Sequence, residues 1–355
     1  MRRPRYRSDR AGAGRIDRED EHEGAKMATA WRWLAILLLA SGLAGCGATG
    51  DAPAPGNDSA DNTPTRPAGG RLLAVMVENS PQARPQSGLH LASVVIEAPV
   101  EGGITRFLAI FQYDDVPVIG PVRSARPYFV DLARPFDPIY AHCGESYAAI
   151  AAIREAELAD LDEMNHPTAY WRDRSRRKPH NLYTSSRRLW REASRRGLQS
   201  SAGSLPFQPS PDPPVGPPGL AVTLPYLAGR RLSYSVRWEY DPTTHRYLRW
   251  VNGEPHRDRE TRRQLAAETV YLLLAPTRLF RPSTGELAIE TTGVGRAWML
   301  RGGTRIEGSW SRSHPIAWFR FSSPQGEMRP GPGSVWVQIL PTDRPPRFPS
   351  LARPE

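Results

Sequence analysis

Leu72-Leu73-Ala74-Val75-Met76-Val77 is an unbroken apolar run closed by turn residues, too short for a helix that must hold itself together and the right length for a strand covered on both faces. Two more runs of the same kind follow, Ser93-Val94-Val95-Ile96-Glu97 and Phe107-Leu108-Ala109-Ile110-Phe111. Farther on, Ser146 to Ala156 reads as a helix, and Ser185 to Arg196 as another, with serine as N-cap and Gly197 behind it. The first part of the chain therefore reads as a mixed sheet carrying helices.

The pattern changes after Ser200. Seven prolines between Pro206 and Pro218 forbid continuous helix or central strand. Beyond them Tyr234, Val236, Trp238 and Tyr240 alternate with Ser235, Arg237 and Glu239, the period of a half-buried strand. Asp241 to His245 turns into Tyr247-Leu248-Arg249-Trp250-Val251, and Asn252-Gly253 makes the next turn. Further strands are expected at Thr269 to Leu274, Leu287 to Thr291, Arg305 to Trp310, Ala317 to Phe321 and Val335 to Leu340. The fold class expected is α+β, an N-terminal mixed α/β sheet domain followed by a mostly antiparallel, β-rich C-terminal domain. The expected division is 1–45 extension and export signal, 46–70 tether, 71–199 first domain, 200–224 proline-rich linker, 225–342 second domain and 343–355 tail. Each domain is large enough for a core of its own. The abundant Trp and Tyr fit a pleated surface better than a stacking platform for sugars or bases.

Leu34 to Cys46 is an apolar core led by Arg32 and ended by small residues before a cysteine, the pattern of a bacterial lipoprotein signal. It is short for a membrane span, so lipidation of Cys46 is expected to anchor the protein on the extracytoplasmic face of the membrane. The mixed charges before Lys26 make Met27 an alternative start. From Gly47 to Gly70 hardly a bulky residue is available for burial, as in a flexible tether. The chain has 47 basic and 37 acidic residues, a formal charge of +10. That suits an anionic partner such as envelope phospholipid or a phosphate-bearing wall polymer, and export disfavours nucleic acid. With Cys46 lipidated, Cys143 alone remains, which excludes an internal disulfide and a zinc site built on paired cysteines.

The densest polar stretch lies between Arg84 and Arg126. It holds Ala83-Arg84-Pro85-Gln86-Ser87-Gly88-Leu89, Glu101-Gly102-Gly103-Ile104-Thr105-Arg106-Phe107 and Gly120-Pro121-Val122-Arg123-Ser124-Ala125-Arg126, and Pro179-His180-Asn181-Leu182-Tyr183-Thr184 follows later. On these four blocks the chain resembles the YerB-like family of bacterial lipoproteins. The likeness continues at Pro255 to Thr261 and Gly333 to Gln338. It implies a two-part α+β fold on a lipid anchor and assigns no reaction. Where relatives tend to carry His-Val-Gly-Gly-Ser, this chain has His142-Cys143-Gly144-Glu145-Ser146. Glu145 in place of the second glycine argues against a turn that must admit a ligand to bare backbone. A looser similarity links the order of strands and Pro-Val-Arg-Ser-Ala-Arg to LytR-type wall-polymer transferases, whose arginines grip a polyprenyl pyrophosphate. No residue-by-residue match carries a catalytic role across.

Physically, Arg106, Arg123 and Arg126 can converge near the start of a helix running to Arg134, with Arg172, Lys178 and His180 completing an anion-binding surface. The alternative is a structural network in which Glu97 and Glu101 neutralise these arginines. The leading expectation is a non-enzymatic envelope module binding an anionic ligand or an envelope protein. Its rival is an enzyme on a wall-polymer or lipid-linked phosphate, with Glu101 or His142 as acid or base and the arginines stabilising transition-state charge. Ser146 reads as an N-cap rather than a nucleophile. His142, Glu145, Asp173 and His180 make a metal site only if the fold gathers them, and no two histidines have helical ligand spacing, so no metal and no cofactor is expected. The basic run Arg172 to Lys178 reads as a solvated loop facing an anionic surface.

Overall fold

The computed structural model describes residues 71–112, 115–198, 203–227 and 234–349; the export signal, Cys46 and the tether lie outside the described residues. The first segment contains β1 (Leu73–Glu78), β2 (Val94–Pro99), β3 (Thr105–Phe111), α1 (Pro127–Ala133), β4 (Ile139–His142), α2 (Tyr147–Glu155), β5 (Ala159–Asp162), β6 (Tyr170–Arg172), β7 (Leu182–Thr184) and α3 (Ser186–Arg195). The second is nearly all strand: β8 (Ala221–Leu227), β9 (Tyr234–Asp241), β10 (Arg246–Val251), β11 (Glu254–Pro255), β12 (Ala266–Ala267), β13 (Thr269–Ala275), β14 (Thr277–Arg281) and β15 (Glu286–Ile289), then β16 (Gly293–Arg301), β17 (Thr304–Arg312), β18 (Arg320–Ser323), β19 (Gly326–Glu327) and β20 (Val335–Pro341).

One sheet of eleven strands, in the order β19-β18-β17-β16-β13-β20-β2-β3-β1-β4-β5, runs through both segments. The seam is β2 against β20, parallel, with Val94 opposite Val335. The two segments therefore do not close on separate cores; each presents an unfinished edge that the other pairs. The apolar runs alternate sides as their period demands. Leu73, Val75 and Val77 face α3 and the small sheet of β8 to β12, whereas Ala74 and Met76 face α1 and α2. All six residues of β1 are buried, as expected for a strand covered on both faces.

The helices obey their caps. Ser146 Oγ accepts from the Ala149 amide and Ser185 Oγ from the Arg188 amide. Gly197 follows α3 with φ 67°. The first segment mixes parallel pairs (β1 with β4, β4 with β5) and antiparallel ones, while the second is mostly antiparallel.

Some expected limits move. Strand β8 begins within the proline-rich stretch, and Pro225 is tolerated because β8 is an outer strand of its sheet. Strand β16 escapes a reading by alternation because Gly293 and Gly295 interrupt it. A Cβ on Gly295 would lie 2.5 Å from Trp310 Nε1, so the ring is seated against bare backbone. The strand expected at Ala317 to Phe321 starts at Arg320 instead. Residue 347 in the tail is stitched to the sheet by two backbone hydrogen bonds between Arg347 and Thr223. Among the described residues no helix is long and apolar enough to cross a membrane.

Candidate functional site

Strands β1, β2, β4 and β5 all finish at one end of the large sheet, where β3, antiparallel to β1 and β2, begins. Their last residues carry the unusual polar side chains. Carboxyl ends of parallel strands are where ligands commonly sit in such sheets. The strip Arg123–Ala125 threads between β1 and β4: the Arg123 amide donates to Met76 O, the Cys143 amide to Arg123 O and the Ala125 amide to Gly144 O. Two glycines in left-handed conformation, Gly102 and Gly103, turn the chain from β2 into β3 and set Arg106 beneath this strip.

Arg106, Arg123 and Arg126 come together, as the mutual lowering of charge stability at Arg106 shows: burial first, then Arg126 and Arg123, pull its guanidinium down to about 10. They differ in their partners. Arg126 makes a two-pronged pair with Glu101, at 2.6 and 3.0 Å. Burial would raise the Glu101 carboxyl, but those bonds outweigh it and leave it lowered. Arg123 lies 3.3 Å from Glu78, which also accepts Ser80 Oγ and meets His180 Nδ1 at 2.9 Å. Arg172 pairs with Glu163 and bonds to Asn181. Lys178 is exposed on its loop, and Arg176 of the same basic run donates to the carbonyls of Ala83 and Pro85, so that run is partly tied down.

Arg106 is the exception. It is 5 % exposed, its Nη1 donates to Ser124 O at 2.6 Å, and its buried Nε has no hydrogen-bond partner among the described residues. The Tyr140 hydroxyl, wholly buried and electrostatically coupled to Arg106 and Arg126, also has none. Of the four metal candidates, the fold gathers His142 and Glu145 and supplies Asp160 and Asp162 from β5. His180 stands with Glu78, and Asp173 pairs with Arg259. Burial, then a bond to Glu163, push the Cys143 thiol up to about 12, far from a reactive thiolate.

Two sequence models match this chain: "Protein of unknown function (DUF3048) N-terminal domain" over residues 60–199 and the corresponding C-terminal domain over 222–337. The chain belongs to this family. It is similar to YerB of Bacillus subtilis (strain 168), a protein named as a candidate lipoprotein, with 34% identity over 284 residues, 76% of this chain and 81% of that one. The crystal structure of Bacillus subtilis YerB superposes with a TM-score of 0.70 at 31% identity, covering 79% of this chain and 94% of the other.

Other residues of the blocks that carry the YerB-like resemblance, Gln86, Ser87, Thr105, Phe107, His256 and Gln338 among them, meet on the opposite face of the same sheet end. Glu97 and Arg249, each fully buried, lie 2.7 Å apart. Arg249 also donates to His256 Nδ1 and Gln338 Oε1, His256 Nε2 donates to Gln86 Oε1, and Gln86 donates to Glu78 O and Asn79 Oδ1. Thr105 and Asn79 donate to Glu97, and Ser87 donates to Glu260. The Arg249 guanidinium lies over the rings of Trp336, Trp238 and Phe107 at 4.9, 5.3 and 5.5 Å. In the network alternative Glu97 joins Glu101 in neutralising the clustered arginines, but Glu97 pairs with Arg249 from β10. Its side chain points to the face away from Arg106, since residues 97 and 98 of β2 alternate. Arg249 carried no signal of this role in the sequence, where it reads as the polar residue of an alternating strand.

Proposed function

We propose that this DUF3048 protein is a non-enzymatic cell-envelope lipoprotein, anchored through Cys46, whose strand-end surface on the helix-bearing face binds a phosphate-type oxyanion of an envelope polymer or phospholipid. The observation that carries the reading is Arg106, a buried guanidinium with no carboxylate in ion-pair contact among the described residues, whose Nε–H has no hydrogen-bond partner there and which lies deeper than the partly exposed Arg123 and Arg126. A buried charge without a counter-charge is costly, and an incoming anion relieves that cost. Several groups an enzyme would need are otherwise engaged: Glu101 is held by Arg126, His142 by Asp160, and Ser146 caps α2.

Titration of the full chain with inorganic pyrophosphate, and co-sedimentation with vesicles containing phosphatidylglycerol, test the reading and separate a free phosphate group from a lipid headgroup. Arg106→Gln should weaken binding at least tenfold, a change of about 1.4 kcal/mol. Unchanged binding in that variant removes the assignment. Palmitate incorporation in cells should disappear in Cys46→Ala; its persistence would place the anchor elsewhere.

A further inference from the structure

We infer that His142, Glu145 and Asp162 form a site for a divalent transition-metal ion of the zinc or manganese class. Parallel pairing of β4 with β5 sets His142 directly opposite Asp162, and the turn after β4 brings Glu145 back over them, so that the three ligand atoms lie within 4.8 Å of one another. His142 is 1 % exposed. Its Nε2 lies 2.8 Å from Asp160 Oδ1; an ionised carboxylate only accepts, so this nitrogen carries the proton. Nδ1 is the nitrogen left for an ion; it faces Gly144 O at 3.1 Å, Glu145 Oε2 at 3.5 Å and Asp162 Oδ1 at 3.7 Å, and an ion bound there takes the place of the ring's second hydrogen.

All three of those atoms are acceptors. Glu145 Oε2 is itself shut off from solvent and receives no hydrogen bond. Gly144 O already accepts the Ala125 amide and Asp162 Oδ1 the Gly144 amide, so Glu145 Oε2 is the one of the three left without a hydrogen among the described residues, and a cation beside Nδ1 gives it a partner. The Asp162 carboxylate is already oriented, accepting from the Gly144 amide at 3.0 Å and from Asn165 Nδ2 at 3.2 Å, and Asp160 fixes the imidazole as supporting carboxylates do at metal-bound histidines. Bonds of roughly 2.0–2.2 Å to a tetrahedral ion separate its ligand atoms by about 3.3–3.6 Å, within a few tenths of an ångström of the two separations from Nδ1. One imidazole with oxygen ligands suits zinc or manganese better than calcium or magnesium, which take oxygen throughout.

The site does not depend on the anion reading, and its test keeps the two apart. The full chain, dialysed free of metal, is titrated calorimetrically with zinc chloride and with manganese chloride. One equivalent should bind saturably with at least one of the two. Glu145→Gln, which removes a ligand charge at a partly exposed position, should weaken binding at least tenfold with the circular-dichroism spectrum unchanged. His142→Gln should do the same, whereas Arg106→Gln should leave metal binding as it was. Absence of saturable binding of either ion up to millimolar concentration, or full binding retained in both Glu145→Gln and His142→Gln, overturns the assignment.

Discussion

Two polar clusters occupy the same end of one sheet, on its opposite faces, and they answer their charges differently. Beneath the small sheet, Glu97 and Arg249 are sealed from water with Thr105, Asn79, His256 and Gln338 filling their remaining hydrogen-bonding positions. Burial, then Arg249, hold His256 neutral by pushing its pKa far below the ordinary value. Gln338 Nε2 there has no hydrogen-bond partner among the described residues, but the buried charges are matched; on the helix-bearing face Arg106, Tyr140 and Glu145 keep buried atoms without such a partner, and Arg106 has no carboxylate in ion-pair contact. A buried charge matched by its partner specifies how strands distant in sequence dock, while a buried guanidinium left without a carboxylate in contact marks a place where an anion can be received. The first cluster is a fastening between the two segments; the second is the candidate binding face.

The sharpest way to break this contrast is to strand a charge in the closed cluster. Arg249→Met leaves Glu97 buried and unpaired, and removal of one partner of a buried ion pair costs about 3–5 kcal/mol. Urea unfolding should show a loss of that size. Arg249→Met combined with Glu97→Leu should recover much of it, because the orphaned charge goes too. Pyrophosphate binding by whatever fraction remains folded should not change. A loss below about 1 kcal/mol in the single variant would mean that this cluster does not fasten the segments.

Much of the architecture was readable because it is local. Five consecutive apolar residues in β1, the serine caps of α2 and α3, and the alternation of β9 are properties of short windows. The approach of Arg106, Arg123 and Arg126, and the pairing of Arg126 with Glu101, were also within reach, since Gly102-Gly103 and Gly120-Pro121 mark the turns that bring them close. What stayed hidden depends on contacts made across long stretches of chain. Glu97 finds Arg249 only because β2 pairs with β20 and the small sheet packs over both; nothing near residue 249 announces it. Asp160 and Asp162 become neighbours of His142 through the register of β4 on β5, and a run of mixed polarity such as Ala159–Asp162 gives no apolar strand signal.

A milder challenge to the fastening is acid. Asp258 is fully buried, takes the backbone amides of Gly88, Glu260 and Thr261, and pairs with His90 at 2.9 Å. Burial raises its carboxyl, but His90 and those amides outweigh burial and leave the folded value lowered. A carboxylate more acidic in the folded state than in the unfolded one stabilises the fold above its unfolded pKa, near 3.9, and that contribution fades as pH falls through the lower folded value. Asp258→Asn should therefore cost about 1–3 kcal/mol at pH 7, the scale of hydrogen bonds to a charged group. The loss should shrink steadily in urea titrations carried below pH 4. Equal losses at pH 7 and pH 3 would show that the side chain acts by shape rather than charge.

The smallest expected effect bears on the open face, where Glu101 competes with any incoming anion for Arg126. The pair is partly exposed, Arg126 at 16 % and Glu101 at 19 % of their side chains, so its contribution to stability is modest, within about 1 kcal/mol after screening. Its contribution to binding has the opposite sign: an anion must draw Arg126 away from a two-pronged carboxylate already in place. Glu101→Gln keeps the shape, removes the competing charge and leaves Arg126 free to join Arg106. Pyrophosphate affinity should rise by about three- to tenfold, or roughly 0.7–1.4 kcal/mol, with the unfolding midpoint nearly unmoved. A fall in affinity instead would mean that Glu101 holds Arg126 in the receiving position, and the open face would then share the logic of the closed one, with each carboxylate serving to fix its arginine.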